Sequence, residues 1–147
     1  MNIVAIDVGT VRVGCAVADS SVGIPFPVAV WDRAQNRAEK ELLAFLSERK
    51  AELLVVGLPL GPHGERTATC QTIEAFVKRL AKRTSITMVY VDEAFSSDEA
   101  SGKLSVTSAS PEAIDAHAAC LILERYLEGG EMTNHISRAG DATNTKT

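Results

Sequence analysis

Three cysteines in 147 residues, at positions 15, 70 and 120, are too few and too far apart for a disulfide framework, and no Cys or His spacing resembles a zinc pattern. They sit in apolar or small-residue runs such as Gly14-Cys15-Ala16-Val17, which predicts free thiols used in packing and a reducing compartment. No apolar run approaches the ~20 residues that span a bilayer. The first such run meets Asp7 too early for a signal peptide, so a cytoplasmic protein without a membrane partner is expected. A Gly-x-x-x-x-Gly-Lys-Ser/Thr loop is missing, which excludes a P-loop nucleotide site. Basic surplus is missing too: 15 Lys and Arg against 19 Asp and Glu leave a net charge of −4. A nucleic acid held by counterion release alone needs the opposite balance. Either there is no nucleic-acid partner, or some of the acids are committed to a metal.

What is present fits one domain with its own core, 46% hydrophobic and 23% charged. Ile3-Val4-Ala5-Ile6 marks a buried strand over 2–8, and strands over 11–19 and 27–31 follow too closely for crossovers, so the start reads as an antiparallel meander. A helical stripe of Leu42, Leu43, Phe45 and Leu46 spans about 35–50. Residues 53–57 read as a central strand, 58–66 as a Pro- and Gly-rich loop, 67–83 as a second helix and 86–91 as a fifth strand. A short helix over 96–103 and a Ser/Thr-rich linker over 104–110 precede a last helix, capped at Ser110, with Pro111 at its first position and its end near 127. The domain is expected to fill 1–130, and 131–147 reads as a polar, poorly ordered tail. The order βββαβαβα predicts an α/β fold with a mixed five-stranded sheet in spatial order 3-2-1-4-5 between helices.

Ligands in such sheets sit beyond the carboxyl ends of the parallel strands, here Asp7, Gly57-Leu58-Pro59 and Asp92-Glu93. Asp7 follows four apolar residues, where an unpartnered carboxylate costs several kcal/mol. Asp115 lies in the apolar helix segment Ala113-Ile114-Asp115-Ala116. Singly, each acid has a plain role in a turn cap, a solvated strand end or an ion pair. Jointly, Asp7, Glu93 and Asp115 would make an oxygen-rich pocket suited to two Mg²⁺ or Mn²⁺ ions, the arrangement that activates water and stabilises the leaving oxygen in phosphodiester hydrolysis.

Four segments carry a family resemblance. They are Ala5-Ile6-Asp7-Val8-Gly9-Thr10-Val11-Arg12-Val13-Gly14, Val55-Val56-Gly57-Leu58-Pro59-Leu60, Val91-Asp92-Glu93 with Ser96-Ser97-Asp98-Glu99-Ala100, and Ile114-Asp115-Ala116-His117-Ala118-Ala119. Together they resemble the YqgF (RuvX) family, small bacterial proteins with an RNase H-like three-layer fold, similar to Holliday-junction resolvases and assigned to ribosomal RNA maturation. The resemblance implies a nuclease for the small-subunit ribosomal RNA precursor, with Asp7, Glu93 and Asp115 as metal-binding catalytic acids. It implies that Gly9 lets the turn approach substrate and that Arg12 grips a phosphate bidentately. Thr10, Gly57 and Pro59 are the further expected substrate contacts. The chain departs from the family at Ala94, where Arg is usual, and at Gly61, where Asn is usual, which removes one phosphate-binding charge and one polar loop contact.

Two other functions fit the same residues, a Holliday-junction resolvase and a non-catalytic ribosome-assembly or RNA-binding factor. Asp7-x-Gly9-Thr10 is also similar to the first phosphate loop of the actin and sugar-kinase superfamily, but that architecture needs two domains. Lys78, Arg79, Lys82 and Arg83 read as cations that satisfy a helix C-terminus in preference to a nucleic-acid contact, and Arg33, Arg37 and Lys40 as solvated charge in preference to a binding patch. Nothing in the sequence separates monomer from dimer. With metal in the acidic pocket, −4 becomes compatible with a polyanion and predicts that binding depends on metal.

Overall fold

The computed structural model describes residues 1–92, 111–129 and 131–138. The helix expected over 96–103, the linker over 104–110 and residues 139–147 lie outside the described residues. The chain opens with three strands, β1 (Asn2–Val8), β2 (Arg12–Asp19) and β3 (Phe26–Asp32), each antiparallel to the next. Helix α1 (Arg37–Arg49) leads to β4 (Leu53–Leu58), and α2 (Ala68–Ala81) leads to β5 (Thr87–Asp92). β4 lies parallel to β1, and β5 parallel to β4. The long helix α3 (Pro111–Leu127) follows, then β6 (Glu131–Arg138).

The five expected strands take the expected order, and β6 extends it to β3-β2-β1-β4-β5-β6. Where the composition suggested a polar tail from 131, residues Glu131–Arg138 instead pair antiparallel with β5, placing Met88 opposite Ser137 and Val89 opposite Ile136. The reason is that β5 would otherwise be an edge with unpaired main-chain groups, and main-chain pairing asks little of composition. The sheet thus continues past residue 130 to Arg138. α1 starts two residues later than its stripe suggested, because Gln35 and Asn36 both take left-handed conformations with φ near 59°.

The two faces of the sheet bury separate cores. On one, Val4, Ile6 and Val8 of β1 and Leu54, Val56 and Leu58 of β4 meet Leu42 and Leu46 of α1 and Ile73, Phe76 and Leu80 of α2. On the other, Ile3, Ala5, Ala16 and Val55 meet Ala119, Ile122 and Leu123 of α3. Residues 118–123 of α3 are all buried, which marks it as an interior helix. The result is a three-layer α/β/α fold in which, among the described residues, α3 covers the second face.

Candidate active site

Strand alternation assigns the site residues to faces. In β1, Val4, Ile6 and Val8 point to the α1/α2 core, so Asp7 falls with Ile3 and Ala5 on the α3 face. In β2, Val13 and Cys15 point to α1/α2, so Arg12 and Gly14 lie on the α3 face. Asp7 stands directly opposite Gly14. Continuing the pairing of Ile6 with Val56 by one residue puts Asp7 level with Gly57 of β4. The partly buried carboxylate of Asp7 is therefore flanked across the sheet by two glycines, which leave open the space their side chains would fill.

α3 uses that space. A Cβ on Gly14 would come within 2.6 Å of the Asp115 carbonyl carbon, closer still to its oxygen, and 3.2 Å from the Ala116 nitrogen. The helix backbone at Asp115 thus rests on Gly14, one strand from Asp7. Arg12 fixes the side chain: its Nε donates to Asp115 Oδ2 at 3.0 Å, with both groups less than a third exposed. The structure so brings Asp7, Arg12 and Asp115 to one edge of the sheet on one face. Glu93, the third acid, lies outside the described residues, and its neighbour Asp92 ends β5 opposite Leu58. Among the described residues, no group of three or more His, Cys, Asp or Glu side chains is arranged to hold a metal ion. The carboxylates that are described supply the hard oxygen donors that Mg²⁺ and Mn²⁺ prefer, so the donor chemistry fits such an ion.

The turn between β1 and β2 closes with Gly9 N–H donating to the Arg12 carbonyl at 2.8 Å. A Cβ at Gly9 would lie 2.9 Å from that carbonyl oxygen, which explains the glycine sterically as well as by access. Thr10 and Val11 stand exposed beside it. Arg33, read from sequence as solvated charge, instead donates through Nη1 to the Gly9 carbonyl at 2.8 Å and lies over the Phe76 ring. Burial, and secondarily the charge of Arg79, pulls its guanidinium below the ordinary arginine range. No local pattern announces this contact, because it spans 24 residues of chain. Gly14 did carry a signal, being a glycine in the middle of a strand, where a bulge or a close backbone approach is the usual reason.

The loop after β4 divides its residues. Gly57 faces the site, whereas the Pro59 carbonyl accepts from Thr67 Oγ1 and Cys70 Sγ, each at 3.3 Å, and so anchors the start of α2. Thr67 caps that helix by accepting from the Cys70 N–H. At Gly61 the Glu65 side chain folds into the space a side chain would occupy, and its Oε1 accepts from the His63 N–H at 2.8 Å. All three cysteines are free and buried, in line with packing.

Comparison with known proteins agrees with this architecture. Residues 1–129 match the model of the RuvX family, described as Holliday junction resolvase. A relative from Nitratidesulfovibrio vulgaris, named "Putative pre-16S rRNA nuclease", is 36% identical over 132 residues, covering 86% of this chain and 93% of the relative. One of the same name from Clavibacter michiganensis subsp. michiganensis is 35% identical over 130 residues, covering 84% and 81%. Among solved structures, Thermus thermophilus RuvC in complex with Holliday junction substrate superposes with a TM-score of 0.53 at 16% identity, covering 89% of this chain and 98% of that one. Fowlpox virus resolvase with its junction DNA gives 0.53 at 12% identity, covering 88% and 98%. These structural likenesses establish the RNase H-like fold. The match over 1–129 runs through every segment that builds the edge, from Asp7 and the β1–β2 turn to Asp115 on α3, and on that ground the chain belongs to the RuvX family.

Proposed function

We propose that the chain is a divalent-metal-dependent nuclease that hydrolyses phosphodiester bonds in the precursor of small-subunit ribosomal RNA. The carrying observation is the packing of the Asp115 backbone on Gly14, opposite Asp7, which sets two carboxylates and the Arg12 guanidinium on one face at one sheet edge. Asp7 and Asp115, with Glu93, would hold two Mg²⁺ or Mn²⁺ ions, which when bound supply a nucleophilic water and stabilise the leaving oxygen. The protein's own part is placement. Rigid β1 and buried α3 hold the carboxylates, and Gly14 lets the α3 backbone seat one strand from Asp7. Arg12 serves as the phosphate grip when its guanidinium turns from Asp115 to substrate. Gly9, Thr10 and Gly57 form the substrate rim of that edge, while Pro59, expected there too, anchors the start of α2. Three unpaired, buried thiols support a cytoplasmic setting.

The printed names of the relatives favour ribosomal RNA, and the family description favours branched DNA as the second reading. Purified protein is to be incubated with precursor ribosomal RNA and with four-way DNA junctions, with Mg²⁺ or Mn²⁺ and with chelator, alongside Asp7→Asn. Metal-dependent cutting of the RNA that the variant loses is the expected result. Cleavage that persists in Asp7→Asn, or without metal, would sink the mechanism. Cutting of the junction alone would transfer the assignment to the resolvase reading, and no cleavage of either would favour a non-catalytic assembly factor.

A further inference from the structure

Residues 78–83 hold four of the chain's 15 cations and none of its 19 acids, in a protein whose net charge is −4. A helix C-terminus carries only about half an elementary negative charge, so it accounts for a fraction of one such cation. The structure gives the remainder a shape. Arg79, Lys82 and Arg83 line an open groove of about 250 Å³ between α1 and the end of α2, together with Asn36 and Glu39. Glu39 is its single carboxylate and is already engaged, accepting from Arg79 Nε at 2.5 Å. Lys82 and Arg83 are exposed, and among the described residues neither makes an ion pair.

The groove is also connected to the site edge. The guanidinium of Arg79 lies 5.7 Å from the Phe76 ring centroid, and that of Arg33 lies 5.1 Å from the same centroid. Arg33 in turn reaches the Gly9 carbonyl in the turn beside Asp7. Two arginines on one aromatic ring thus bridge the β1–β2 turn and the groove, and Arg33, Arg79, Lys82 and Arg83 follow one another away from that turn. Spaced cations along a surface suit an extended polyanion better than a compact anion, because each neutralised phosphate releases counterions independently.

We propose that the groove between α1 and the end of α2 is a second contact surface for nucleic acid, holding the phosphate backbone that flanks the cleavage site. The inference rests on the nuclease reading for its ligand, but it makes a separate claim about binding. Phosphate contacts of this kind position a strand without reading its sequence.

The test measures binding apart from cleavage, by fluorescence anisotropy of a labelled precursor ribosomal RNA fragment and a labelled four-way DNA junction. Wild type and the double variant Lys82→Gln/Arg83→Gln are titrated across a range of salt. Both side chains are exposed and neither belongs to the site, so the variant folds as wild type does, which circular dichroism checks. The expected result is a log–log salt slope shallower by about 2, and affinity on the order of tenfold weaker at low salt, similarly for different sequences. A substrate too short to leave the site edge should bind both proteins equally. Equal slopes and affinities for the long ligands would overturn the groove while leaving metal-dependent cleavage intact. A shallower slope in the variant of a wild type that cleaves nothing would keep the groove and reject the nuclease. Failure of wild type to bind either ligand would reject the groove as well.

Discussion

Gly14→Ala is the most economical probe of the site, because it adds one methyl group at the point where α3 rests on β2. That methyl would lie 2.6 Å from the Asp115 carbonyl carbon and 3.2 Å from the Ala116 nitrogen, whereas ordinary contact begins at 3.4 Å. The atoms met are main chain, so no side chain can swing aside, and α3 must withdraw by about 0.8 Å or more for a contact of ordinary length. Overpacking of this size costs about 1–3 kcal/mol, offset by about 0.4–1 kcal/mol gained from restricting the unfolded chain. For a domain of this length the net loss, at most about 2.6 kcal/mol, lowers Tm by up to about 10 °C. The catalytic effect should be larger in proportion. A shift near 1 Å moves Asp115 relative to Asp7, and misplacement on that scale costs on the order of 10²-fold in rate. Cleavage rates and thermal unfolding are measured on the same preparation, with Asp115→Asn as the comparison that removes charge but leaves the helix seated. A Gly14→Ala protein with wild-type Tm and wild-type cleavage would refute the seating of α3 on Gly14, and with it the placement of Asp115.

Arg12→Gln removes a positive charge 3.0 Å from an Asp115 oxygen; Mg²⁺ or Mn²⁺ should bind more tightly by calorimetry while nucleic acid binds less tightly, and a fall in both affinities would contradict the shared use of Asp115. Glu39→Gln leaves Arg79, half exposed, without its buried carboxylate, and urea unfolding should show about 1 kcal/mol lost, since solvent screens the arginine; an unchanged midpoint would mean the pair contributes nothing. Burial pushes the Cys15 thiol up to about 12 and the Cys120 thiol to about 11, so both stay protonated in the fold while the unfolded thiols ionise near 9, and stability should decline as pH rises from about 9 to 12. Replacing either by Ala should flatten that decline, and slow alkylation of the native protein at pH 8 checks the burial. Chelation should weaken nucleic-acid binding by wild type and leave a residual component that Lys82→Gln/Arg83→Gln removes; affinity indifferent to chelator would contradict metal at the acids.

The strands, their order and the α3 segment were legible because each rests on local pattern: continuous apolar runs for β1 and β4, a 3.6-residue stripe for α2, Pro111 at the start of α3. Asp7 and Asp115 were legible for a related reason, as charges in runs that otherwise have none. β6 was not, because its pairing is a main-chain bond to an edge that exists only once β5 is in place. Arg33 was not, because its partners, Gly9 and Phe76, lie 24 and 43 residues away in the chain. Lys82 and Arg83 were visible as residues but not as a surface, since a helix end explains cations one at a time while only the groove against α1 collects them.

The placement of charge resolves the difficulty that the net −4 poses for a nucleic-acid enzyme. Electrostatic attraction to a polyanion depends on local potential within about a Debye length, roughly 8–10 Å, and not on the sum over the molecule. At the sheet edge a bound metal would reverse the effect of the acids on phosphate, and Arg12 already offsets Asp115 there. A second set of cations runs from Arg33, at the turn beside that edge, through Arg79 to Lys82 and Arg83. Raising the protein's net charge by neutralising an acid far along α1 from the groove, such as Glu48, should then strengthen binding much less than the Lys82 and Arg83 substitutions weaken it.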